Sequence, residues 1–373
     1  MAPSGKMWEK GVGLVERLRA YYFGKKESPP AIMERTALLY AILFTVIFVA
    51  PFYLSKTLRT TPLNSRDSPT VIRARVRAVG LSCLASTVLT VFVLVQYGHA
   101  SPRDVLRLFG MWPFNPLDCA KVLLLVGVLY TGPLYETIFV DGGLREFSLK
   151  AIKETLWDSP TSNRNVVIAP WAEELVFRSL VISLYLLAKV SPVRIVFVTP
   201  LVFGVAHVHH LVEFIQNHTP PGRTLPTSNV LLMGIIRSLF QFTYTSLFGF
   251  FTAFVYLRTG SVFASITAHM FCNYMGLPRV WGKVGQFDDW DITPDVAQGK
   301  RDDTVEQVRV GNSAMKDKDE NEVKAAKMVG AGAKNLSVSW TVVYYLLLVA
   351  GAFGFYRLLW TLTESKNALA TFS

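Results

Sequence analysis

Apolar residues run in long blocks along this chain. Segments 36–54, 78–97 and 338–356 contain no charged side chain. Each approaches the roughly 20 residues that a helix needs to cross the hydrocarbon core of a bilayer. Five further segments, 120–140, 166–189, 194–211, 229–257 and 260–277, are long enough but carry polar groups. Together they predict an all-α, polytopic membrane protein of about eight transmembrane helices, with both termini on one side. Residues 1–35 hold seven Lys/Arg and residues 56–77 hold six. These basic groups flank opposite ends of the first helix, so the positive-inside rule does not choose an orientation.

The polar stretches divide the rest. Residues 1–35 form a basic, partly amphipathic segment, residues 36–282 a membrane domain, residues 283–335 a polar loop, and residues 336–373 a last span with its tail. In the first segment Met7, Val12, Val15, Leu18 and Tyr22 recur at helical spacing, with Lys10, Arg17 and Arg19 between them. Leu149, Ile152 and Leu156 repeat the pattern. Each pattern fits a helix lying on the membrane surface or a short solvated helix. The 283–335 stretch, rich in Asp and Lys, cannot bury a core and reads as a flexible loop. No cleavable signal peptide is expected, because the first apolar stretch begins near residue 36 and is long enough to stay in the bilayer.

Composition supports this picture. Hydrophobic residues make up 51% of the chain and charged residues only 17%, against about 25% charged in soluble domains. The net charge is +11, yet residues 283–335 carry 11 acidic and 9 basic groups. The excess of positive charge therefore flanks the apolar runs, where anionic headgroups attract it. It forms no continuous patch, which argues against nucleic acid as a partner. Cys83, Cys119 and Cys272 are far apart and suggest neither a disulfide framework nor a thiolate metal site.

An ionisable group inside a span is costly and marks a candidate functional site. Three spans carry such groups. In Ala169–Arg178, Glu174 and Arg178 are four residues apart and share a helix face, so they can pair. Glu173 sits about 100° round the helix. A carboxylate there, in a poorly solvated pocket, can act as a general base, or all three groups can form a packing network. In the second span, four of the six histidines lie between 207 and 218. His207 and His210 share a face, while His209 and His218 read as loop or helix-end residues. In the third, His269 and Asn273 are one turn apart. They offer either two convergent donors for an oxyanion or polar links between helices.

A base, histidines and a donor pair on three spans supply the parts for attack by water on an amide carbonyl. HExxH, G-x-S-x-G, Walker and Rossmann signatures are absent. Two other readings use the same residues. One is a zinc protease with Glu173, His207 and His269 as ligands. The other is a non-enzymatic scaffold or transporter.

The ordered motifs Glu173-Glu174…Arg178, Phe203…His207 and His269…Asn273 resemble those of the CAAX prenyl protease type II and bacteriocin-processing family. Length and basic flanks are most similar to its eukaryotic Ras-converting endopeptidases. The resemblance implies a multi-pass enzyme of the endoplasmic reticulum membrane. It would remove the last three residues from prenylated CaaX proteins, such as Ras-like small GTPases, without a metal or other cofactor. By position, Glu173 and His207 would activate water, and His269 and Asn273 would hold the oxyanion. Glu174 and Arg178 match the motif as supporting residues, and His210, from its shared face with His207, is a further supporting candidate. The motifs cover 173–273, and the long 283–335 loop departs from a compact family member.

Overall fold

The computed structural model describes residues 12–24, 27–59, 66–143, 148–219, 223, 225–285 and 336–372. These residues are helical or irregular, with no strand among them, in keeping with the expected all-α membrane architecture. Five helices are long and apolar enough to span a bilayer: Glu34–Leu54, Pro69–Gly98, Pro192–His218, Ser228–Thr259 and Val338–Leu362. Pro116–Leu129 and Thr131–Val140 make a sixth candidate, bent by 77°. The bend falls just before Pro133, which lacks an N–H and suits the first turn of a new helix. Val338–Leu362 packs tightly on this break. A Cβ added at Gly351 would lie 2.5 Å from the Val128 carbonyl oxygen, so only glycine permits the approach.

Five helices, or six with the bent pair, meet the length and hydropathy of a span, against eight expected. The two expected spans that do not meet it, 166–189 and 260–277, contain two of the three sequence motifs. Val262–Met275 has 14 residues, about 21 Å of helix against a hydrocarbon core of about 30 Å. The stretch through 160–187 is broken into α-helical and wider π-helical turns, and every residue of Val181–Leu187 is buried. Hydropathy measures how apolar a segment is but not what surrounds it. Much of both segments is covered by other helices, as with Val181–Leu187 and with Val262, Ala264 and Ala268.

The N-terminal helix differs from both readings of its pattern. Leu14–Tyr22 buries Leu14, Val15, Leu18 and Tyr22 in the main core. Its first amides donate to the Asp104 carboxylate at 3.1 Å, and the Tyr22 hydroxyl donates to the Val190 carbonyl at 2.9 Å. Its apolar face is thus covered by protein. Met7 and Lys10 lie outside the described residues. By contrast, Leu149 in Leu149–Lys153 is 87% exposed, as either reading of that segment allows. The chain after the last span turns back, where the Leu369 amide donates to the Leu257 carbonyl at 2.8 Å. Of the expected 283–335 loop, Lys283–Gly285 is described, and Val284 is buried against Val140 and Tyr344. The remainder lies outside the described residues.

Candidate active site

The two glutamates lie at the end of the short helix Ala169–Glu174, directly before the π-helical turn Leu175–Leu180. Such wide turns are uncommon and recur at functional sites. Pro170 follows the π-helical turn Arg164–Ile168, and such a widened turn accommodates a residue without an N–H. The Glu174–Arg178 pair expected from the spacing is present, with Nε 3.2 Å from Oε2 and both side chains almost fully buried. Arg178 Nε also donates to Thr252 Oγ1 at 2.8 Å, and the guanidinium lies 4.3 Å over the Phe203 ring. A Cβ on Gly249 would sit 2.6 Å from Pro200 and 3.3 Å from an Arg178 terminal nitrogen. A glycine there lets Ser228–Thr259 close over the arginine.

Glu174 has a second partner that its spacing could not reveal. Its Oε1 lies 2.8 Å from Nδ1 of the buried His269. A carboxylate can only accept, so Nδ1 carries the proton. The other ring nitrogen, Nε2, stands 3.8 Å from Glu173 Oε2. His269 is thus held at one end by Glu174 and faces Glu173 with the other. In the neutral ring Nε2 is an acceptor, and it donates only when the ring carries both protons.

Glu173 is less enclosed than Glu174, with 17% of its side chain exposed. It lines a cavity together with His207, His209 and His210. His207 caps Pro192–Ala206, and its Nδ1 is 3.0 Å from the Phe203 carbonyl, which leaves Nε2 as its second polar atom. His209, read from sequence as an ordinary helix-end residue, shares this cavity, and its ring is 3.9 Å from that of His210. Asn273 is placed differently. One of its two amide N–H groups donates to the Asn165 carbonyl at 2.9 Å, and Asn165 lines the cavity.

The geometry bears on the zinc reading. Among the described residues, the trio with ligand atoms all within 4.8 Å of one another is His209, His210 and Glu213, not Glu173, His207 and His269. Glu213 is already committed, with Oε1 2.6 Å from Arg75, and Oε2 3.3 Å from His210 and 3.9 Å from Arg66. Two guanidiniums on one carboxylate oppose a dication electrostatically.

Arg66, Arg75, Arg164 and Asn165 also line the cavity, and sequence reasoning passed over all four. The arginines resemble the basic flanks of any span. Glu213, an acidic residue on one turn with His209 and His210, was the available signal.

Residues 155–275 match the family model described as type II CAAX prenyl endopeptidase Rce1-like. The chain is 34% identical over 247 residues to the probable CAAX prenyl protease 2 of Schizosaccharomyces pombe, covering 66% of this chain and 83% of that protein. It is 34% identical over 227 residues to CAAX prenyl protease 2 of Homo sapiens, covering 58% and 64% respectively. With the Saccharomyces cerevisiae CAAX prenyl protease 2 the identity is 26% over 276 residues, covering 66% and 82%. No solved structure matches this chain. Three polar motifs in the family's order, a membrane-helix bundle around them and this similarity across most of the fission-yeast protein place the chain in the Rce1-like, type II CAAX prenyl endopeptidase family.

Proposed function

We propose that the protein hydrolyses the peptide bond after the prenylated cysteine of CaaX proteins, releasing the aaX tripeptide, at the endoplasmic reticulum membrane. The observation that carries this reading is the pairing of the two glutamates with one histidine. Glu174 anchors His269 Nδ1 at 2.8 Å, and Glu173 stands 3.8 Å from Nε2 at the edge of the cavity. Glu173 takes a proton from water, and the water oxygen attacks the scissile carbonyl carbon. His207 Nε2 orients that water. Negative charge develops on the carbonyl oxygen. His269, which takes a second proton from solvent before the attack and keeps it through the step, donates to it through Nε2–H, and Asn273 donates through its side-chain amide. The carbon–nitrogen bond then breaks, and the proton held on Glu173 passes to the leaving amine. The products are a prenylcysteine carboxylate and a tripeptide with a free amine. Ras-like small GTPases are the natural substrate class for this chemistry.

The walls of the bundle favour a lipidated substrate. The spans keep apolar side chains outward, as with Leu84, Val88 and Phe92 of Pro69–Gly98, so a prenyl chain can approach through the bilayer. The test is purified protein in detergent, given a farnesylated CaaX peptide and its unprenylated twin. Tripeptide should be released from the first alone. Equal cleavage of both would leave a protease but remove the prenyl requirement.

A further inference from the structure

At one end of the cavity lies a group of basic side chains that the proposed hydrolysis does not use. Arg66 stands in the turn before Pro69–Gly98, Arg75 in that helix, and Arg164 on the segment leading to the glutamates. Among the described residues their ion pairs are with two carboxylates. Asp67 takes Arg164 Nη2 at 2.8 Å, and Glu213 is shared between Arg75 at 2.6 Å and Arg66 at 3.9 Å. Arg66 is the least satisfied of the three, because its ion pair is the longest and its buried Nε has no hydrogen-bond partner. A buried, unsatisfied guanidinium N–H is costly unless a ligand completes it. Arg164 holds this arrangement in place. Its Nη1 donates to the Arg66 carbonyl at 3.0 Å, and its Nε donates to Asn165 Oδ1 at 2.9 Å.

We propose that Arg66 and Arg75 form the receptor for the free C-terminal carboxylate of the peptide substrate, with Arg164 as the residue that positions them. The proposal rests on the peptidase reading above. A C-terminal carboxylate is a planar monoanion, which matches the fork geometry of a guanidinium. Arg66 and Arg75 line one cavity with Glu173 and His207, and an extended tripeptide covers about 10 Å. A carboxylate seated at Arg66 and Arg75 shares that cavity with the proposed water-activating groups. The arginines act as a ruler that counts three residues from the chain end.

The experiment compares two farnesylated peptides of one sequence, ending in a free acid or in a carboxamide, with the wild-type protein and with Arg66→Gln in detergent. The wild type should show a kcat/KM about 10- to 100-fold higher for the acid, the range expected of hydrogen bonds to a charged group. In Arg66→Gln the ratio of acid to amide should fall towards one. Equal wild-type rates on acid and amide would overturn the proposal, as would a ratio unchanged in a folded Arg66→Gln. A cavity end that seats an anionic lipid headgroup would give equal wild-type rates. Should Arg66→Gln fail to fold, the wild-type ratio decides alone. Failure of the folded wild type to cut either peptide would instead refute the peptidase reading, and that outcome is distinct from equal cleavage of both.

Discussion

Removing Glu174 separates its structural role from its chemical one. In Glu174→Ala, Arg178 stays in place, 1% exposed, with the Thr252 hydroxyl and the Phe203 ring as its remaining neighbours. Its terminal nitrogens have no hydrogen-bond partner among the described residues even in the intact protein. Breaking a buried ion pair by deleting one member costs about 3–5 kcal/mol, because an uncompensated charge remains. Replacing both members with apolar groups of similar volume is often neutral or stabilising. Glu174→Ala should therefore lower the thermal denaturation midpoint in detergent, and Glu174→Ala/Arg178→Met should recover most of the loss. Activity should not recover with it. His269 loses its 2.8 Å anchor in both variants. Misorienting a histidine this way costs about 10²- to 10⁴-fold in rate in comparable sites. The assay is turnover per folded molecule beside the unfolding curve. The reasoning is refuted if Glu174→Ala is as stable as the wild type. It is refuted equally if the double variant regains activity along with stability.

Glu173→Ala should abolish turnover while leaving the denaturation midpoint close to wild type, since this glutamate stands at the cavity wall and is partly exposed; loss of folding instead would give it a structural role. Asn273→Ala should reduce kcat by about 10²–10³ with KM little changed, as for other single oxyanion donors. A near-wild-type kcat in folded protein, with roughly 0.6 kcal/mol of lost stability, would make it only a link between helices, through Asn165. Activity should persist through exhaustive chelation, and stoichiometric zinc whose removal and return switch activity off and on would establish the metalloprotease reading. Burial works against ionisation of Asp104, but hydrogen bonds from Val15, Ser101 and Leu14 outweigh it and hold its carboxyl below the usual carboxylate range. Its folded value lies below its unfolded one, so its stabilisation is present above about pH 4 and is lost as pH falls through the folded value. Acid should thus release Leu14–Tyr22 to proteolysis, and Asp104→Asn should do so at neutral pH with a loss of about 0.5–2 kcal/mol, the range for a cap. An N-terminal helix equally protected in both cases would show that its apolar face alone holds it.

The sequence by itself determined the parts that depend on local spacing and on hydropathy. Uncharged runs such as 78–97 can only be satisfied as helices in lipid, and those spans are present in Pro69–Gly98 and its neighbours. The four-residue step from Glu174 to Arg178 guarantees a shared helix face, and the pair forms. The order of the three motifs carried the family, because polar residues at fixed steps inside apolar helices are rare enough to be specific together. Tertiary structure decided which helices meet and what each covers. Glu174 and His269 lie 95 residues apart, and no periodicity links them. The burial of Leu14–Tyr22 against the core could not be told from a membrane-surface helix, since an amphipathic pattern specifies an apolar neighbour but not which one. Hydropathy likewise counted 166–189 and 260–277 as spans, but it could not show that the first is divided into α- and π-helical turns or that the second holds a helix of only 14 residues. The arginines of the cavity were hidden for a related reason. Arg75 belongs by sequence to a basic flank, and only the tertiary structure brings it to Glu213 of His209–His218, 138 residues away.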